Sequence, residues 1–259
     1  MNSAPTGSGT VKKALVVLEL VASFERPVKF PEVLEKSEFP RGTLYRLLKT
    51  LADEQMLAFN PEDQTYYLGM RLIRLAHTAW KNASLAPIAR PFIESLAAEV
   101  NETVHLAQID SGQVLFIDKI RSADRTETLA KAGKVAPAYC TGVGKAMLAF
   151  MGHKRLELAL HQQAYFKYTP TTHASPDTLI PELEEIRGDG IAYDREEHEQ
   201  GTISIAAPIL SNNGRVLGAV SIATSTVHHS LESLQDFRDA LLKTTKEIGA
   251  EATSWQFPS

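Results

Sequence analysis

The sequence predicts an α+β chain of two domains, an N-terminal winged helix-turn-helix and a C-terminal domain built on an antiparallel sheet. Three observations carry this. Residues 40–51, PRGTLYRLLKTL, place leucines at helical spacing behind a basic face. Residues 57–68 set two short aromatic segments around NPEDQ, where a hairpin wing belongs. From residue 86 onward, helical stretches alternate with segments joined as hairpins, the clearest at Asn213-Gly214.

Residues 1–9 are small and polar and read as a disordered tail. A first helix over 10–24 puts Val11, Ala14, Leu15, Leu18 and Val21 or Ala22 on one face, and Arg26-Pro27 ends it. Pro31 suits the first turn of a short helix, PEVLEKS. A tight connection at Glu38-Phe39 leads into a helix from about Pro40 to Gln55. Leu44, Leu47, Leu48 and Leu51 line its apolar face, while Arg41, Thr43, Tyr45, Arg46, Lys49 and Thr50 line the other, with no acid among them. Such a face suits a DNA groove, its donors meeting phosphates and base edges. An ordinary solvated amphipathic helix is the competing reading. The order helix, short helix, tight turn, basic helix favours the DNA reader, and the hairpin LAF-NPEDQ-TYYL completes a winged helix whose wing near Asn60–Gln64 can touch the DNA backbone.

Residues 69–83 resume helical spacing through Met70, Ile73, Leu75 or Ala76, and Trp80. That stripe needs a partner, either across a dimer or in the next domain. The domain boundaries expected are 10–69 for the winged helix, 70–85 for a linker and dimerisation helix, and 86–259 for the second domain. In the latter, PIARPFIESLAAEVN is helical, ETVHLAQID and QVLFIDKI are strands about Ser111-Gly112, and 135–140 is a short strand. TGVGKAMLAFM starts as a helix, and LIPELEEIRGDG is a helix with Pro181 in its first turn. ISIAAPIL and RVLGAVSIAT form a hairpin. The last helix, about Ser230–Thr253, places Leu231, Leu234, Phe237, Leu241 and Ile248 on one face.

The 259 residues are 44% hydrophobic and 22% charged, ordinary values for a globular chain with a sizeable core. No apolar run approaches a membrane span and the N-terminus lacks a signal-peptide pattern. Cys140 stands alone, which excludes an internal disulfide framework and fits a reducing cytoplasm. The net charge of -4 is uneven: residues 1–80 hold ten Lys/Arg against nine Asp/Glu. DNA binding needs a local basic patch, so the global charge is neutral on the question.

CTGVGKA at 140–146 departs from a phosphate loop, with Tyr139 in place of the first glycine and Ala146 in place of Ser/Thr. What remains is a glycine-bearing helix start able to bind a carboxylate, or a plain tight turn. DREEHEQG at 194–201 crowds acids and His198, but adjacent loop charges point apart into water, which disfavours a metal site. GTISIA and GAVSIA lack the glycine of a nucleophile elbow. Cys140 reads as a small buried residue, with redox sensing the less favoured alternative.

PRGTLYRLLKTL, YYLGMRLIRLA, TGVGKAMLAF, GIAYDREEHEQGTISIAAPI and GRVLGAVSIA, taken in order, resemble the IclR-type bacterial transcription regulators over nearly the whole chain. The resemblance implies a winged-helix DNA reader, a linker helix and a GAF-like effector domain. It implies dimers or dimers of dimers that control catabolic operons, many as repressors released by a small organic acid or semialdehyde, with no cofactor, metal or membrane. Matched by position, DNA is contacted by Arg41, Gly42, Thr43, Tyr45, Arg46 and Lys49, and the effector by Gly142, Val143, Gly144, Asp194, Ser204, Ser221 and Ala223. Asp194 can accept from a hydroxyl or hydrated aldehyde, and both serines can supply hydrogen bonds. Members often carry Cys at the place of Ser204, Ser at that of Ala223, and Ser at that of Gly42. Donor set and operator therefore cannot be borrowed from relatives. Activation instead of repression, or an enzyme using the second domain, are the alternatives.

Overall fold

A computed structural model of the chain describes residues 9–110, 112–121 and 130–252. The tail at 1–8, the turn position Ser111 and the helix end at Thr253 lie outside the described residues. Two compact units divide in sequence between Asn82 and Ala83.

The first unit runs α1 (Gly9–Ala22), β1 (Val28–Lys29), α2 (Phe30–Lys36), α3 (Arg41–Asp53), β2 (Leu57–Asn60), β3 (Thr65–Leu68) and α4 (Met70–Ala83). Its core is Val17, Leu18, Val21, Val33, the four leucines of α3, Leu57 and Tyr66. Leu44 and Leu48 are fully enclosed, so truncating either to alanine costs about 2–5 kcal/mol. The wing has a third strand that the sequence reading missed: β1 pairs antiparallel with β3, Val28 opposite Tyr66. It is only two residues long and its partner lies far along the chain, so no local pattern marks it. Glu32 in the first turn of α2 accepts the Lys29 N–H at 2.8 Å and pairs with Arg26 at 2.6 Å, which fixes the α2 start.

Helix α1 corrects the expected tail and the expected face. Gly9, assigned to the tail, is already helical. Val17, Val21, Ala14 and Leu18 form the buried arc, while Val11 and Leu15 are 60% and 50% exposed. At about 100° per residue, Val11 falls just beyond the Leu18 edge of that arc and Leu15 well outside it.

The second unit runs α5 (Ala86–Val100), β4 (Thr103–Asp110), β5 (Gln113–Ile120), β6 (Val135–Pro137), α6 (Gly142–Ala149), α7 (His153–Gln162) and α8 (Pro176–Asp189). It continues with β7 (Ala192–Arg195), β8 (Thr202–Leu210), β9 (Val216–Ser225), a 3₁₀ turn over Ser233–Phe237 and α9 (Arg238–Glu251). The six strands form one antiparallel sheet in the order β6-β5-β4-β9-β8-β7. Side chains alternate between its faces. Val104, Leu106, Ile203, Ile205, Val220 and Ile222 pack with α5 and α9 on one face. Ala107, Phe116, Ala192, Ala206 and Ala219 pack with α6, α7 and α8 on the other. Pro208 in β8 lies beyond Ala206, where β7 pairing ends, so its missing N–H breaks no ladder on that side.

Five points of the sequence reading are corrected here. α8 begins at Pro176 after Ser175, so Pro181 is inside the helix; the Ser-Pro-Asp start was the overlooked signal. α7 was not anticipated. β6 stops at Pro137, and the last helix is a 3₁₀ turn followed by α9. Asp194 and Arg195, read as loop, belong to strand β7.

Candidate functional site

On α3 the expected division of faces is present. The leucines are buried; Arg41, Gly42, Tyr45, Arg46 and Lys49 are exposed and Thr43 is half-buried. Among the described residues, Arg41, Arg46 and Lys49 make no ion pair, whereas Arg26 and Arg71 of the same unit are paired with Glu32 and Glu54. Three unneutralised cations on an acid-free helix face are available to phosphates. Phe30, at the start of α2, organises part of that face: the Arg41 guanidinium lies 5.4 Å from its ring centre and Tyr45 meets its edge at 6.2 Å. The sequence reading missed Phe30, which lies eleven residues upstream of Arg41 in a hydrophobic-looking segment. A Cβ added at Gly42 would meet nothing within 4 Å.

In the second unit, a cavity of about 50 Å³ opens between the α6 start and the sheet. Register explains its floor. Asp194, Ser204 and Ala223 stand side by side across β7, β8 and β9, and Ser221 stands between Ala206 and His105 one row on. All are on the α6 face because strand side chains alternate. Thr141 caps the helix start in extended conformation, and the first helical bond runs from Lys145 N–H to Thr141 O at 2.9 Å. The amides before it have no intrahelical partner and lie at the positive end of the helix dipole. Gly142 brings them onto the floor: a Cβ there would sit 2.7 Å from Ser204 Oγ.

Six residues expected at the site line the cavity: Gly142, Val143, Asp194, Ser204, Ser221 and Ala223. Gly144 does not. Its open side faces the backbone of Ala138, whose oxygen would lie 2.3 Å from an added Cβ, so this glycine serves helix packing. His105, Phe116, Lys134, Thr141, His198 and Glu199 also line the cavity and were missed. For His105 and Phe116 the available signal was strand alternation, which puts them on the same face as Ala107 and Val114.

Burial dominates the electrostatics. It pushes the Asp194 carboxyl up to about 7, with the Glu197 carboxylate adding to the rise and the Glu197 N–H and Lys145 opposing it. Burial, then the Lys119 charge, pushes His105 down to about 3, so its imidazole is neutral near physiological pH. His198 is also lowered by burial. The Cys140 thiol, fully enclosed, is pushed far above its ordinary value by burial and then by Asp194, which disfavours the thiolate that redox chemistry uses.

Behind Asp194 lies a buried ion network. Lys145, with no exposed surface, bonds Glu197 Oε1 closely and Glu182 Oε1 at 2.8 Å. Glu182 also takes Arg195 at 2.6 Å and His173 at 2.6 Å. Burial resists ionisation of Glu182, but His173, Lys145 and Arg195 outweigh it and hold the carboxyl down at about 2. His173, Glu182 and Glu197 are close enough together to raise the question of a metal ion. Lys145 and Arg195 already neutralise the two carboxylates, so the charge of a cation is supplied by the chain itself.

Two family models match the chain. One is described as the IclR helix-turn-helix domain, over residues 10–61; the other as the bacterial transcriptional regulator IclR C-terminal, over residues 77–250. The HTH-type transcriptional regulator XynR of Escherichia coli K12 is 30% identical over 232 residues, covering 90% of this chain and 92% of that one. The transcriptional repressor IclR of the same organism is 25% identical over 241 residues, covering 92% of this chain and 88% of that one. Among solved structures, the Thermotoga maritima IclR is similar with a TM-score of 0.76 at 27% identity, covering 95% of this chain and 100% of that chain.

Proposed function

The chain belongs to the IclR family of bacterial transcription regulators, and from that premise we propose that it represses a catabolic operon and is released by a small carboxylate or semialdehyde. It is a DNA-binding regulator by family. The uncommitted cations on the exposed face of α3 carry the reading of where DNA is met: Arg41, Arg46 and Lys49, with Thr43 and Tyr45, enter the major groove, and the wing near Asn60–Gln64 touches the backbone. Repression is favoured by relatives whose names state it, among them the transcriptional repressor IclR and the DNA-binding transcriptional repressor YiaJ of E. coli, the latter 28% identical.

The effector is assigned to the α6 cavity, with the Gly142 and Val143 amides on its carboxylate and Asp194, Ser204 and Ser221 around the rest. A buried hydroxyl left unpaired by a wrong ligand costs about 1–3 kcal/mol, so these few groups suffice for selection. The protein acts as a homodimer or dimer of dimers in the cytoplasm. Exposed Met70, Ile73 and Trp80 on α4, with Val11 and Leu15 on α1, supply an apolar surface for self-association. The effector works by differential affinity for two arrangements of the paired readers.

A salt titration of operator binding tests the DNA face. Arg46→Ala is expected to weaken binding on all sequences and to lower the slope against log salt by about one unit. Unchanged affinity and slope would remove Arg46 from the interface. In a promoter reporter, deletion of the gene raises expression under repression and lowers it under activation.

A further inference from the structure

The three cations on the open face of α3 are not alike. Arg46 and Lys49 have no hydrogen bond, ion pair or ring contact among the described residues. Arg41, the first residue of the helix, has its guanidinium carbon 5.4 Å from the centre of the Phe30 ring. Tyr45, one turn on, meets the same ring edge-on, with 6.2 Å between centres and 70° between planes. One aromatic side chain of α2 thus gathers two side chains of the reading face.

Phe30 is itself held between two fixed points. Before it, β1 pairs with the wing, Val28 opposite Tyr66 and Lys29 opposite Thr65. After it come Pro31 and Glu32 in the first turn of α2, where Glu32 accepts the Lys29 N–H at 2.8 Å and pairs with Arg26 at 2.6 Å. The ring packs partly buried against the core of the unit. It is a fixed platform, tied to the wing on one side and to α2 on the other.

Phosphates and bases ask different things of a cation. A phosphate accepts from many directions, so a freely moving arginine or lysine serves it. A guanine edge offers O6 and N7 in one plane, and only a guanidinium held in one orientation meets both. An arginine that is free beforehand loses its rotamer freedom on docking, which weakens binding. Stacking on Phe30 takes that loss during folding, before DNA arrives. The N-terminal residues of a recognition helix reach the base edges, and Arg41 opens α3. Resting on the reading that α3 enters the major groove, we propose that Arg41 reads a guanine and that Phe30 is the residue that positions it. Arg46 and Lys49 then meet phosphates.

Base preference at one position, and not affinity alone, tests this. The full-length protein and each variant select duplexes from a random-sequence pool, and the enriched duplex and its single-pair variants are titrated by fluorescence anisotropy across a salt series. The wild type is expected to enrich a site with a G·C pair whose replacement costs about tenfold in affinity. Arg41→Ala and Phe30→Leu are both expected to bring that factor close to one and to leave the other positions unchanged. Phe30→Tyr keeps the ring and should retain the preference. Phe30→Leu keeps an apolar side chain against the core, so its thermal unfolding should match that of the wild type. Arg46→Ala should weaken all sequences alike, lower the salt slope by about one unit and preserve the guanine preference. A preference that survives Phe30→Leu overturns the positioning role, and one that survives Arg41→Ala overturns the base contact. Equal loss on every sequence in Phe30→Leu makes Phe30 a structural prop and also overturns the proposal. In these three cases the Arg46→Ala slope still locates DNA on α3. Enrichment of no sequence, or unchanged affinity and slope in both Arg41→Ala and Arg46→Ala, overturns the reading of α3 itself.

Discussion

Two buried residues of the cavity act on stability in opposite senses as pH changes. Asp194 sits at about 7 in the fold against an ordinary 3.8, so the native chain holds this proton longer than the unfolded one. Its contribution is full below the unfolded value and is lost as pH rises toward 7. His105 sits at about 3 against an ordinary 6.5, so the unfolded chain is protonated first. Its contribution is full above 6.5 and is lost as pH falls toward 3. Between about 4.5 and 6.5 the two slopes oppose. Asp194→Asn should therefore unmask a stability that rises with pH, by up to about 1.4 kcal/mol per unit, and His105→Asn the reverse. Urea unfolding across that range checks both; a flat profile in either variant contradicts the assignment. Lys145 poses a simpler case. Lys145→Met strands Glu197 in the interior, while Glu182 keeps Arg195 and His173; it should cost about 3–5 kcal/mol, and adding Glu197→Gln should recover a large share.

At the level of elements, glycines one turn or less from a helix start have unlike roles. Gly144→Ala drives a methyl into the Ala138 backbone, which cannot turn aside, and is expected to cost about 1–3 kcal/mol in chemical denaturation. Gly42→Ala meets open space and should leave stability unchanged or raise it by less than about 1 kcal/mol. What the sequence showed also divides by element. The α3 leucines were legible because one short helix carries its whole signal in a period of 3.6. The β8–β9 hairpin was legible from alternation and an Asn-Gly turn. Strand β7 was not, because four residues containing Asp194 and Arg195 look like loop until β8 pairs with them. His105 was hidden for a related reason. Alternation gives its face, but only the fold shows that α6, nearly forty residues on, covers that face.

For the whole molecule, the exposed apolar surface is the feature that a lone chain leaves unexplained. Met70 is 75% and Ile73 61% exposed, side by side on α4. Replacing both with glutamate should shift the sedimentation of the protein toward monomer and weaken operator binding, since paired readers share one site. Normal sedimentation would place self-association elsewhere. The six-stranded sheet has a consequence of another kind. Its core on the α5 side is spelled by Ile203, Ile205, Val220 and Ile222, and its cavity floor by Ser204, Ser221 and Ala223. Fold and ligand preference are thus written in interleaved letters of the same strands. A library that randomises only the floor letters should yield mostly folded proteins with new inducers, and evolution has had the same freedom to retarget the switch without rebuilding it.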